Sequence, residues 1–178
     1  SNGGLFGTVD GNLTVKNLRL ERGNLTKNST ATAYCDGMIA GKVEQQLTLE
    51  NIATVQLKIL LSGSKVNSVG GLIGEAKGEA VLRNISAEAT IDRDPLLAGN
   101  QMELGYSTYI GGVLGVSRGG ILVENCYAKT ELHVEDTLQI AGGLVGGQQG
   151  KNVRYANCKV ETSIHAFNTC GGLFGKTA

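Results

Sequence analysis

Two histidines and one aspartate occupy the same place in successive stretches of this sequence. His133 and His165 each stand eight residues after an asparagine (Asn125, Asn157), and Asp92 stands eight after Asn84. Ile91, Leu132 and Ile164 precede them, so apolar and polar side chains alternate there as in a half-buried strand. If the stretches stack in register, Asp92, His133 and His165 form one outward-facing column. Two imidazoles and a carboxylate are ligands for a borderline divalent metal. Over three strands at about 4.8 Å each, however, the set spans about 10 Å, too long for one tight coordination sphere. Aligned surface residues are the expected reading, and no metal or cofactor is assigned.

Asp92 and Asp94 open a segment, residues 92–106, that holds the only proline and breaks the spacing of the rest. Tyr106 ends it and Tyr109 follows. Paired carboxylates cleave glycosidic bonds in some enzymes, but two aspartates in a loop more often form turns or carry solvated charge. Inserted loops commonly project and carry recognition, and tyrosines offer an apolar face with a polar tip. Asp92, Asp94, Tyr106 and Tyr109 are therefore candidate ligand contacts, and no residue is assigned a catalytic role. The run from Gly142 to Gly147 loosely echoes a dinucleotide fingerprint, yet Gln148-Gln149-Gly150-Lys151 starts no amphipathic helix. A His-Glu-x-x-His sequence is absent, so zinc protease chemistry is not expected in this segment.

These residues sit on a repeat. Gly-Leu-apolar-Gly stretches begin at Gly4, Gly71, Gly112, Gly143 and Gly172, with a degenerate copy read as Gly37-Met38-Ile39-Ala40. The spacings are 33, 34, 41, 31 and 29 residues, a range typical of stacked supersecondary units. An asparagine follows each of the first five leading glycines in step: Asn17, Asn51, Asn84, Asn125 and Asn157. Around it, apolar columns (Val15, Leu49, Leu82, Val123, Tyr155) flank a column of alternating sign (Lys16, Glu50, Arg83, Glu124). Helical periodicity is missing throughout. The pattern predicts an all-β, right-handed parallel β-helix of about six rungs, rising about 4.8 Å per rung. Asn tolerates left-handed backbone angles and can bond amide to amide up a stack. The Asn column and Gly71, Gly112, Gly143 and Gly172 are thus assigned structural roles.

The cysteines number four: Cys35, Cys126, Cys158 and Cys170. Cys35 and Cys170 both lie two residues before a leading glycine, which places them in the column of Val69, Ile110 and Ala141. At four rungs apart, about 19 Å, they lie beyond disulfide reach. Cys126 and Cys158 stand on adjacent rungs and aim the same way, so free, buried thiols are expected.

Lys+Arg and Asp+Glu balance at 16 each, which gives no net pull towards nucleic acid or an anionic membrane. No apolar run reaches the length of a membrane span. The stretch Ile121-Leu122-Val123-Glu124-Asn125-Cys126-Tyr127-Ala128, followed by Ala141-Gly142-Gly143-Leu144-Val145-Gly146, resembles the GLUG-motif repeat proteins, and the resemblance extends over nearly the whole chain. It implies a bacterial cell-surface or secreted β-helix, adhesin-like or similar to the N-terminal repeat region of immunoglobulin A1 metalloproteases. The implied partners are a host protein, a glycan or neighbouring domains of the same chain. Residues 1–178 are read as one repeat segment of a longer chain, non-catalytic in itself, with a polysaccharide-active β-helix enzyme as the alternative.

Overall fold

Alternating apolar residues on either side of each marker asparagine dictate strands with one buried face, and among the described residues every regular element is a strand. In a computed structural model, residues 2–27, 34–61, 66–93, 108–134, 139–166 and 169–177 are described. The chain runs through β1 (Phe6–Val9), β2 (Leu13–Glu21), β3 (Asn24–Lys27) and β4 (Tyr34–Asp36), then β5 (Ala40–Val43), β6 (Leu47–Val55), β7 (Leu57–Leu61) and β8 (Val66–Gly70). It continues through β9 (Ile73–Ala76), the long β10 (Ala80–Arg93) and β11 (Thr108–Gly111), then β12 (Leu114–Ser117), β13 (Ile121–Glu124), β14 (Tyr127–Val134) and β15 (Gln139–Gly142). The last strands are β16 (Val145–Gln148), β17 (Val153–Ala156), β18 (Lys159–Ala166), β19 (Thr169–Gly171) and β20 (Phe174–Thr177).

Each pass of the chain contributes to three sheets in turn. A six-stranded sheet has the order β1-β5-β9-β12-β16-β20, and a five-stranded sheet has the order β19-β15-β11-β8-β4. The longer strands form a nine-stranded sheet around β10. Pairing is parallel throughout, for example Phe6↔Ala40 and Ile110↔Ala141. The architecture is a parallel β-solenoid. Its core has two parts because the nine-stranded sheet faces both of the others. Leu47, Leu49, Leu82 and Ile85 pack with Leu72, Ile73 and Leu144, while Ile59, Ile91 and Leu132 pack with Tyr34, Val69 and Ile110.

The strands of the nine-stranded sheet bend at the asparagines. Asn17, Asn51, Asn84, Asn125 and Asn157 all hold φ between 53° and 56°, the left-handed region that Asn enters more readily than most residues. Their side-chain amides form a continuous ladder. Nδ2 of Asn51 donates to Oδ1 of Asn17 (2.9 Å), Asn84 to Asn51 (2.9 Å), Asn125 to Asn84 (3.2 Å) and Asn157 to Asn125 (3.1 Å). Beside the ladder, Lys16 meets Glu50 at 2.7 Å and Arg83 meets Glu124 at 2.9 Å.

The leading glycines are where backbones touch. A Cβ on Gly112 would lie 2.2 Å from the carbonyl oxygen of Gly143 and 2.1 Å from Cγ2 of Thr130. Gly71 is equally close to Gly112, and Gly143 to Gly172.

The second glycine motif requires a correction. Ala40 pairs with Phe6 and Ile73, and Ile39 donates its N–H to Leu72. The copy is therefore Met38-Ile39-Ala40-Gly41, one residue later than the sequence pattern suggested, with Met38 in the place of a leading glycine. Just upstream, the β4–β8 register also shifts, between Tyr34 and Cys35. Cys35 consequently pairs with Ser68, and Asp36 takes the place opposite Val69. Cys170 does pair with Ala141, so the two cysteines stand in different columns.

Candidate recognition surface

Asp92, His133 and His165 stand in one column because their strands pair in register: Asp92↔His133 across β10–β14, and His133↔His165 across β14–β18. Nδ1 of His133 and Oδ1 of Asp92 are 2.8 Å apart. A carboxylate only accepts, so the imidazole N–H is the donor. The other carboxylate oxygen, Oδ2, faces Nζ of Lys58 at 3.3 Å. The rings of His133 and His165 have centroids 5.3 Å apart and are tilted by 50°. Both histidines are exposed, whereas Asp92 is half-buried. Among the described residues, no three His, Cys, Asp or Glu side chains converge as metal ligands.

A shallow groove of about 300 Å³ lies beside this column, lined by Gln56, Lys58, Glu88, Thr90, Lys129 and Glu131. Its charges answer one another across strands, with Lys129 3.7 Å from Glu88. Asp94 and Tyr106 lie outside the described residues. Of the suggested acid pair, Asp92 is the described member, and its carboxylate is engaged by Lys58 and His133.

Tyr109, on β11, belongs to a different face. Its ring lies over Gly147, where a Cβ would come within 2.2 Å of Cδ1. Its hydroxyl accepts a hydrogen bond from Nε2 of Gln149 at 2.8 Å. From Gln149 a polar seam runs inward. Nη1 of Arg118 donates to Oε1 of Gln149 (2.7 Å), and Nε of Arg118 donates to Oε1 of Glu75 (2.8 Å). The Cys35 thiol donates to Oε2 of Glu75 at 3.3 Å. Glu75 is only 4% exposed. Burial alone would push its carboxyl up, but hydrogen bonding and charge from Arg118, with help from Cys35 and Lys42, hold it below the usual carboxylate value. Burial, opposed by a hydrogen bond from Ser68 and reinforced by the charge of Glu75, pushes the Cys35 thiol up to about 12.

Sequence reasoning missed this seam. Glu75 on β9 and Arg118 just after β12 come from neighbouring strands of the six-stranded sheet, where Glu75 pairs with Val116, so their contact is a diagonal two columns wide that alignment column by column does not show. The thiols are all free: Cys35 and Cys126 are buried, Cys158 is half-buried and Cys170 is exposed. Gly142 ends β15 and the strand β16 begins at Val145, so this glycine run joins two strands and opens no helix on which a phosphate would rest.

The connections between sheets show a further regularity. The chain leaves the nine-stranded sheet after Lys27, Leu61, Arg93, Val134 and Ala166, and enters the five-stranded sheet at Tyr34, Val66, Thr108, Gln139 and Thr169. The intervening segments, 28–33, 62–65, 94–107, 135–138 and 167–168, differ widely in length, and all join the same two sheets. The other two corners of each pass are crossed by short turns. Asp92, His133 and His165 lie on the strand ends that lead into this corner. No family model matches the chain, and no curated protein or solved structure matches it.

Proposed function

We propose that this segment is a non-catalytic rod of a bacterial cell-surface or secreted protein. In this reading it displays a recognition surface towards a host protein or glycan, or towards neighbouring domains of its own chain. The observation that carries the proposal is that connections of varying length all fall between the same two sheets. A solenoid varied at one corner and constant at the others separates a scaffold from a display edge. The outward charges along the scaffold answer each other from strand to strand, as Lys16 does Glu50 and Arg83 does Glu124.

The finer reading follows the resemblance seen in the sequence: a right-handed β-helix of about six rungs of GLUG type, adhesin-like, or a substrate-positioning region of an immunoglobulin A protease. Asp92 and Tyr109 are the contacts proposed among the described residues, with Asp94 and Tyr106 from the adjoining segment. A polysaccharide-active enzyme is the competing reading, since β-solenoids can carry carboxylates across neighbouring strands. The test is a glycan array and a panel of host extracellular proteins probed with the 178-residue chain, with product analysis of every bound glycan. Binding without turnover is expected. Cleavage of a bound polysaccharide would contradict the non-catalytic reading.

A further inference from the structure

The geometry points to a surface site for one borderline divalent cation of the zinc, copper(II) or nickel(II) kind, held by the imidazoles of His133 and His165, with Asp92 as a positioning residue for His133. It does not rest on the recognition reading above. The two rings stand on hydrogen-bonded neighbouring strands, β14 and β18, in direct register. Their centroids are 5.3 Å apart. An imidazole bound at about 2.0–2.1 Å holds its centroid about 3.2 Å from the ion, so two of them sharing one ion at a tetrahedral angle place their centroids about 5.2 Å apart. The observed ring spacing therefore matches that of two imidazoles sharing one ion. The span of three strands, which argued against a site of all three residues, no longer applies, because only the adjacent histidines coordinate.

Asp92 supplies what a lone histidine pair lacks. By accepting the Nδ1–H of His133 at 2.8 Å, it fixes the tautomer that leaves Nε2 with its lone pair free for a metal. Carboxylate–histidine–metal arrangements use this device to orient the ring and raise its basicity. Lys58 against the second oxygen, at 3.3 Å, holds the carboxylate in place and offsets its charge. Imidazole nitrogens select zinc, copper or nickel over calcium and magnesium, which take oxygen ligands. Water completes the coordination sphere. The same ring spacing also suits a tilted aromatic pair, and a metal titration separates the two.

The experiment is calorimetric titration of the 178-residue chain with zinc chloride, in a Cys170→Ser background that removes the exposed thiol, with the histidine ring resonances followed in parallel by NMR. One zinc per chain is expected, with the rings of His133 and His165 shifting together. His133→Gln and His165→Gln should each weaken binding at least about tenfold, and Asp92→Asn by about 10- to 100-fold. Both histidines are on the surface, so far-UV circular dichroism should be unchanged in these variants. Absence of zinc binding, or binding that survives either histidine substitution, would overturn the site. Unchanged affinity in Asp92→Asn would overturn the positioning role.

Discussion

The side-chain amide of Asn84 donates to Oδ1 of Asn51 at 2.9 Å while both backbones hold left-handed angles, φ 53° and 56°. One residue type thus makes the bend in the nine-stranded sheet and links it to the next strand. Alanine at position 84 would lose the bonds to Asn51 and Asn125 and carry the steric cost of a left-handed backbone. We expect Asn84→Ala to destabilise by about 2–3 kcal/mol and Asn84→Gly, which keeps the backbone angle, by about half as much. Urea unfolding of the two variants separates the ladder's contribution from that of the bend.

Glycine contacts give a second, paired expectation. Gly112→Ala would drive a methyl group into the Gly143 carbonyl and the Thr130 side chain, and should cost about 3 kcal/mol or more. Gly172 heads the same kind of motif, but nothing lies within 4 Å of its would-be Cβ. Gly172→Ala should stay within about 0.5 kcal/mol. Thermal melts of the two variants check the difference.

The seam at Glu75 predicts a dependence on acid. Its carboxyl lies below its ordinary value of 4.5 in the folded chain. A lowered folded value contributes stability that is present above 4.5 and lost as pH falls through that lower value. Stability of the native chain should therefore fall on acidification below about 4.5 more steeply than that of Glu75→Gln. Arg118→Met would leave the buried carboxylate without its main partner. The guanidinium is part-exposed, at 39%, so the expected loss at neutral pH is about 1–3 kcal/mol. Urea midpoints measured from acid to neutral pH for the native chain and both variants test this.

Thiol reactivity follows burial. Burial pushes Cys35 up to about 12 and Cys126 up to about 11, and Cys170 is exposed. A thiol-specific reagent at neutral pH should modify Cys170 first and reach Cys35 and Cys126 only on unfolding. Because the Cys35 value is raised on folding, its contribution to stability is intact below its ordinary value of 9.0 and is lost as pH rises towards about 12. Peptide mapping after timed labelling reads the order directly.

Where the sequence was informative, one residue type had one physical job. Leu47, Leu49 and Leu82 alternate with polar residues because a strand has two faces, and the asparagines recur because a left-handed bend admits few other types. Register was harder to read where glycines crowd. Gly37 and Gly41 both fit the motif, and only the pairing of Ala40 with Phe6 and Ile73 shows that Met38 aligns with the leading glycines. Arg22 and Gln56 also hold left-handed angles, φ 53° and 55°, yet neither residue type signals one. The Glu75–Arg118 pair was missed for a further reason, since it runs diagonally between neighbouring strands, from Glu75 to the residue two beyond its partner Val116, and alignment by column does not show diagonals.

The most direct test of the central claim replaces residues 94–107 with a short Gly/Ser connection in the 178-residue chain and repeats the glycan and host-protein binding measurements. The account predicts that binding is lost while the β-type circular dichroism is retained, because the scaffold strands on either side, β10 and β11, keep their partners in the neighbouring passes. Undiminished binding from the replaced chain would contradict the assignment of recognition to this corner.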